Sequence, residues 1–321
     1  MAKLIMLGLL MVVLIATARA EDKSYAQWSK FDKSNFDPDH TYTFEVGDIR
    51  VVIGDNYSHG GSDRSSYTGI HHWSHAKWSS NIFNPRYAGV IGIRRSCAIE
   101  KLGEDGAMIS VESGDQRVTE SYTVKPPHYV DHVATFMTNA TTGYWNDTCY
   151  MNGPSDPGIY VLQTDGNWVR HFSETHGDRS SIAPASWTEK EFPPIKQVDD
   201  SPYPHGGSGF HEGFCDLRFD PKYPIWYGRF DDMVFVVMMD RKLGDYFVPF
   251  MSPSGGGFSE EFQRTNPAWD YRSHMRDLIP GREATVRSRL IFKPFVSNDD
   301  ILAEYEAWLK TLPEDSLQPA E

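Results

Sequence analysis

The chain has few cysteines for its 321 residues: only Cys97, Cys149 and Cys215. No two of them form a CxxC pair, which argues against a structural zinc knuckle. In an oxidising compartment, three cysteines allow one disulfide and one spare thiol, and the sequence does not select among the three pairings.

Several catalytic signatures are also missing from the chain. The absence of a GxSxG motif excludes an α/β-hydrolase. There is no HExxH zinc motif and no dinucleotide-binding fingerprint, and the run Gly255-Gly256-Gly257 lacks the lysine and helix that follow a phosphate-binding loop. No apolar run beyond residue 20 approaches the roughly 20 residues of a membrane span.

The first twenty residues have the pattern of a secretory signal peptide. A basic start at Lys3 is followed by an apolar run and then by Ala18-Arg19-Ala20, a small-x-small cleavage site. We therefore expect a secreted or periplasmic protein. The predicted organisation is a signal peptide over 1–20, one domain over 21–313 and a flexible tail over 314–321.

The charge balance narrows the classes of partner. The formal net charge is −13, and removal of Lys3 and Arg19 would make the chain more acidic still. Such a surface disfavours nucleic acid and anionic lipid. An anionic sugar polymer remains compatible, because a binding site can be locally basic.

Short β-type runs separated by Gly and Pro dominate the sequence. They predict strands within 41–55, 87–113, 117–140, 159–165, 233–242, 246–253 and 284–295. This spacing indicates a mainly β protein with large antiparallel sheets. Only 299–312 has helical periodicity, which predicts a C-terminal helix with Asp299 or Asp300 as its N-cap. Residues 183–222 are predicted to form a long loop region.

The stretch HHWSHAKWSS (71–80) is the densest group of rings in the chain. On a helix, His71 and His75 would share a face and form half of a metal site. On a strand, His71 and Trp73 would face one side, and His72 and Ser74 the other. Rings of this kind stack on sugars, and polar side chains fix hydroxyl groups. The interpretations are a sugar-cleft wall, structural packing or a metal site, and we favour the first. The predicted wall consists of His71, Trp73, His75 and Trp78.

Two further stretches carry acid–base candidates. His176 lies beside Glu174 and Asp178, which could orient it as a base, or the segment could be a simple turn. Tyr227 and Arg229 are two apart, so that on a strand they share a face. A phenol could then donate a proton while the guanidinium binds a carboxylate or sulfate. The alternative is a buried tyrosine with a solvent-facing arginine.

The segment Asn266–Asp270 is predicted to be a compact turn that carries Trp269. A tryptophan in that position is either a structural plug or a platform for a sugar ring. We keep Trp269 among the candidate substrate-binding residues.

Seven stretches together resemble a group of secreted, planctomycete-type bacterial proteins of unassigned function. They are YAGVIGI (87–93), PPHYVDHVATF (126–136), ETHGDRSS (174–181), YPIWYGRFDDMVFVVMM (223–239), SPSGGG (252–257), NPAWDY (266–271) and RLIFKPF (289–295). That group looks like the galactose-mutarotase-like β-supersandwich superfamily, which implies large antiparallel sheets and a concave face that commonly holds a carbohydrate. The mutarotase catalytic residues have no evident counterparts in this sequence.

Three functions follow as hypotheses. The first is a carbohydrate-active enzyme, a lyase or hydrolase acting on an acidic or sulfated polysaccharide. A lyase would use Arg229 to neutralise the carboxylate, His72 or His176 as base and Tyr227 as acid. The second is a non-catalytic carbohydrate-binding protein with Trp73, Trp78 and Trp269 as platforms. The third is a metal-dependent hydrolase using His71, His75 and His176, whereas the first two need no cofactor.

Overall fold

The structure is a computed structural model that describes residues 36–55, 68–84, 97–113, 116–139, 141, 143–163, 166–173, 180–184, 221–240, 246–252, 257–275 and 278–313. The predicted signal peptide, the predicted tail, His176 and most of the predicted loop region lie outside these residues. None of the helices in the described ranges is long and apolar enough to cross a membrane.

The described chain is built mainly of antiparallel strands and ends in a helix, as the sequence predicts. The strands of the first half are β1 Thr41–Val46, β2 Ile49–Gly54, β3 Gly69–His75, β4 Ala98–Leu102, β5 Gly106–Ser113, β6 Gln116–Lys125, β7 Tyr129–Met137, β8 Gly143–Tyr150 and β9 Asp156–Gln163. Those of the second half are β10 Trp168–Ser173, β11 Ser180–Pro184, β12 Pro221–Phe230, β13 Met233–Met239, β14 Tyr246–Ser252, β15 Phe258–Ser259, β16 Arg264–Thr265, β17 Ala268–Met275 and β18 Glu283–Pro294. Helix α1 spans Asn298–Leu309.

One large sheet organises the molecule. Its strand order is β11-β10-β9-β12-β13-β18-β7-β6-β5-β4, and two three-stranded sheets, β1-β2-β3 and β14-β17-β8, accompany it. Because alternate residues of a strand point to opposite faces, the large sheet has two cores. On the inner face, Trp226 and Phe235 pack against Trp269 and Trp73 from the smaller sheets. On the outer face, Tyr227 and Val236 belong to a second core with helix α1.

Two local predictions are wrong. The helix N-cap is Ser297, whose Oγ accepts the Asp300 N–H at 3.1 Å, so Asp299 and Asp300 lie in the first turn rather than at the cap. A serine hydroxyl caps a helix without adding charge. The segment 266–270 is not a compact turn, because Trp269 pairs with Cys149 inside β17. Sheet pairing with distant β8 overrides the local Asn-Pro turn signal there.

Candidate functional site

The opening histidine-tryptophan stretch is a strand, not a helix. In β3, Val52 of β2 pairs with His72 and Ile53 pairs with Ile70, so that His71 is the extra residue of a β-bulge. His72 and Ser74 share a face as predicted, with His72 Nε2 2.7 Å from Ser74 Oγ. Burial and then the charge of Arg50 lower the pKa of His72 to about 3. His72 is therefore a neutral, buried imidazole at ordinary pH.

The rings of this stretch pack inward rather than forming an open wall. Trp73 and Trp269 are fully buried in the inner core, and His71 and His75 are buried as well. A sugar needs an accessible ring face, and a fully buried ring offers none. Trp78 is half-buried, and Phe262 stacks on it with ring centroids 5.2 Å apart. This geometry favours packing as the role of these rings.

The predicted Tyr227–Arg229 pair shares the outer face of β12, as the sequence indicates. Both side chains contact Phe295: the ring centroids of Tyr227 and Phe295 are 5.9 Å apart, and Arg229 Cζ lies 3.9 Å from the Phe295 centroid. The Tyr227 hydroxyl donates to Asn298 Oδ1 at 2.7 Å. Burial, and then the neighbouring Tyr160, raise the pKa of Tyr227. The phenol therefore stays protonated at any physiological pH.

Arg229 is half-buried and has an unusual set of neighbours. Its Nη2 donates to the backbone oxygen of Asp231 at 2.9 Å, whereas the Asp231 carboxylate is held by Arg264. Across the described ranges, no carboxylate lies within ion-pair distance of Arg229, and its buried Nε has no hydrogen-bond partner. A half-buried guanidinium that makes no ion pair can receive a carboxylate or a sulfate through the donors that solvent reaches, and the buried Nε is not one of them.

Sequence reasoning missed the neighbours of Tyr227 from β9 and β10. The ring of Tyr160 stacks on Tyr227 with centroids 4.8 Å apart and an interplanar angle of 6°, and Trp168 lies 5.2 Å from Tyr227. Asp156 accepts from the Tyr160 hydroxyl at 2.5 Å and from Arg170 Nε at 2.8 Å. Period-two alternation would have put Tyr160 on a sheet face, but only the pairing of β9 with β12 shows which residue it meets.

The proposed lyase residues are therefore not all brought together. Tyr227 and Arg229 lie on the outer face of the large sheet, whereas His72 lies in the separate β1-β2-β3 sheet. His176 is outside the described residues.

A buried polar network crosses three strands on the inner face. Tyr122 donates to Glu120 Oε2 at 2.7 Å and stacks on His132 at a centroid distance of 4.9 Å, and His132 Nδ1 lies 3.0 Å from Ser288 Oγ. Burial lowers the pKa of His132 to about 3. The four side chains are at most 1% exposed, so the network is sealed within the core.

Asp48, His75 and His128 form a group with metal-ligand chemistry, their donor atoms lying within 4.8 Å of one another. The Asp48 Oδ2 and His75 Nε2 atoms are 4.0 Å apart. However, His75 Nδ1 accepts the Lys77 backbone N–H at 3.0 Å, so the neutral ring carries its proton on Nε2. Coordination through Nε2 would require that proton to move to Nδ1, where it would meet the Lys77 N–H. The tautomer that the Lys77 N–H selects therefore disfavours a cation at this group.

No protein-family model matches the chain, and no curated protein matches its sequence. Solved structures similar to it include a GalM/aldose epimerase homologue from C. elegans, with 11% identity, a TM-score of 0.42, and coverage of 80% of this chain and 99% of that one. Galactose 1-epimerase from Lactobacillus acidophilus NCFM shows 10% identity and a TM-score of 0.36, over 63% of this chain and 68% of that one. Heparan sulfate lyase HepC from Pedobacter heparinus shows 9% identity and a TM-score of 0.44, with 81% of this chain covering 36% of that one.

Proposed function

We propose that this protein is a secreted carbohydrate-active protein that binds an acidic or sulfated polysaccharide on the outer face of the large sheet. The observation that carries the proposal is the position of Arg229. Its guanidinium lies over Phe295 and beside Tyr227, and it makes no ion pair within 4.0 Å with a carboxylate of the described residues, although its cross-strand partner is Asp156. A planar cation recognises a carboxylate or sulfate, and the half-buried Phe295 supplies stacking surface beside it.

The net charge of the whole chain also bears on which ligand Arg229 would bind. With a formal charge of −13, the protein repels polyanions over most of its surface. An arginine kept without a carboxylate partner then marks a place where negative charge is favoured. A neutral glycan would gain the stacking contacts but would leave the guanidinium without its matching anion.

The reaction that these groups fit best is β-elimination from a uronic acid. Arg229 would neutralise the uronate carboxylate, and a base would take the C5 proton. The C4–O bond would break as the C4–C5 double bond forms, and Tyr227 would protonate the departing oxygen. The raised pKa of Tyr227 keeps that proton available. Of the two base candidates, His72 lies in another sheet, and His176 lies outside the described residues and stays a candidate from the sequence.

A non-catalytic binder is the second candidate, and the state of Tyr227 favours it. The Tyr227 side chain is 3% exposed, and its hydroxyl is already bound to Asn298. An acid must reach the leaving oxygen, so turnover would require Tyr227 to exchange this partner. Binding through Arg229 requires no such exchange.

A binding and product assay tests the proposal. Wild type and Arg229→Gln are measured against uronic-acid and sulfated polysaccharides, with Arg117→Gln as a matched control, because Arg117 is exposed and lies on β6. We expect Arg229→Gln to weaken binding about tenfold or more, the value of a charged hydrogen bond, and Arg117→Gln to bind as wild type does. Equal loss in both variants, or no loss in Arg229→Gln, would contradict the proposed site.

Product formation in the same samples separates the candidate activities. Near-ultraviolet absorbance that grows with reducing ends establishes elimination. Reducing ends without absorbance establish hydrolysis. Binding without either product establishes the non-catalytic protein.

A further inference from the structure

We infer that the outer-face site has a second subsite, formed by Trp168 and Tyr160, that takes the sugar ring next to the charged one. The inference rests on the proposed function and deepens it: the ligand is at least a disaccharide, with its anionic group at Arg229 and a neighbouring ring on Trp168.

The two parts of the site lie on opposite sides of Tyr227. In the sheet order β10-β9-β12-β13-β18, Trp168 belongs to β10 and Tyr160 to β9, whereas Phe295 directly follows β18. The Tyr227 ring is 5.2 Å from Trp168 and 5.9 Å from Phe295, between centroids. Neighbouring strands are about 4.8 Å apart, so the aromatic surface extends across the strands rather than along one of them.

The residues of this second subsite are less buried than Trp73 and Trp269. Trp168 and Tyr160 pack against the outer core but are each only half-buried, and Tyr227 covers one face of the Tyr160 ring, so a ligand would meet the part of each residue that solvent reaches. Partly exposed rings on a rigid sheet can stack on the C–H face of a sugar.

The surroundings of Tyr160 make this subsite rigid and electrically balanced. Arg170 binds the Asp156 carboxylate through two nitrogens, and Asp156 also accepts from the Tyr160 hydroxyl and the Gly158 N–H. The charges of Arg170 and Asp156 cancel, in contrast to Arg229. This part of the site therefore suits an uncharged ring face, and its fixed geometry limits the entropy lost on binding.

Helix α1 determines the direction in which the ligand extends. Beyond Tyr227 on the β18 side, Val236 and Ile291 are buried beneath Ile301 and Tyr305 of the helix. No sugar can lie on that part of the sheet while the helix covers it. The chain of sugars therefore runs from Arg229 towards β10.

Titration of the protein with a uronic-acid monosaccharide and its disaccharide tests the second subsite. We expect wild type to bind the disaccharide about tenfold more tightly than the monosaccharide, the value of one stacked ring. Trp168→Ala should lose this gain and keep monosaccharide binding, and Trp168→Phe should restore part of the gain. Arg229→Gln should weaken both ligands. Thermal midpoints measured for each variant show that the fold is retained.

The outcomes separate the inference from the proposed function. A disaccharide gain that survives Trp168→Ala would overturn the second subsite and leave the Arg229 site standing. Equal loss of both ligands in a folded Trp168→Ala would also overturn it, because Trp168 would then act on the Arg229 site itself. If wild type bound neither ligand nor a sulfated disaccharide, the proposed function and this inference would fail together.

A positioning role for Tyr160 is tested by Tyr160→Phe, which keeps the ring and removes the bond to Asp156. We expect a smaller disaccharide gain with unchanged monosaccharide affinity. An unchanged gain would show that the hydroxyl does not orient the subsite.

Discussion

Trp269 shows how one residue determines the distance between two sheets. Its ring lies against the backbone of β12 at Gly228, where an added Cβ would stand 2.2 Å from the ring atom Cη2. Its Nε1 donates to the backbone oxygen of Pro157 at 2.7 Å, and its ring meets Trp226 edge to face. Trp269 is thus a core plug that requires glycine opposite it.

At this scale, we expect Gly228→Ala to destabilise the protein by about 1–3 kcal/mol, because the new methyl group overpacks the core. Urea unfolding measures the loss. Gly228→Ala should lower the free energy of unfolding less in a Trp269→Phe background than in wild type, because the smaller phenylalanine ring leaves room for the new Cβ. Wild-type stability in Gly228→Ala would contradict this packing.

At the scale of the element, helix α1 is held to the sheet by a partly buried ion-pair network. Lys293 Nζ lies 2.5 Å from Glu304 Oε1 and 2.9 Å from Asp300 Oδ2, and the Tyr129 hydroxyl donates to Glu304 Oε2 at 3.0 Å. Burial of Glu304 opposes its ionisation, but His128, Lys293 and Tyr129 outweigh burial and lower the pKa of Glu304 to about 2.

This shift predicts a pH dependence of the helix anchor. A carboxyl with a lowered folded-state pKa stabilises the protein above its unfolded pKa of about 4.5, and that contribution is lost as the pH falls towards 2. Glu304→Gln should therefore be less stable than wild type by about 1–3 kcal/mol above pH 4.5, and the two should converge in acid. Unfolding free energies of wild type and Glu304→Gln, measured between pH 2 and pH 7, test this prediction. A difference that stays constant across this range would contradict the stabilising role of the ionised Glu304 carboxylate.

At the scale of the whole molecule, two imidazoles in different sheets are buried and cannot readily take up a proton. Burial lowers the pKa of His132 in the inner core to about 3, and burial with Arg50 lowers that of His72 to about 3. Both groups ionise near pH 6.5 when the chain unfolds. Between pH 6.5 and pH 3 the unfolded chain therefore binds more protons than the folded protein does. The free energy of unfolding falls as the pH drops through this range.

His132→Gln should reduce the slope of the unfolding free energy against pH by about 1.4 kcal/mol per pH unit, which is the contribution of one proton bound on unfolding. Urea unfolding at several pH values between 7 and 4 measures the slope. Equal slopes for His132→Gln and wild type would show that His132 is protonated in the folded protein.

The sequence by itself determined the elements and some shared faces. Periodicity predicted strands within 41–55, a C-terminal helix, and a shared face for Tyr227 and Arg229, since each of these depends only on the local sequence. The mainly β antiparallel architecture followed from many such runs.

Only the tertiary structure decided what those faces meet. It buried Trp73 and Trp269 in the inner core, separated His72 from Tyr227, and brought Tyr160 and Trp168 beside Tyr227. Local patterns could not give these results, because they depend on which distant strands pair and which face the helix covers. Strands β9 and β12 are far apart in the chain, and their pairing is a property of the whole sheet. It cannot be predicted from the sequence of either strand alone.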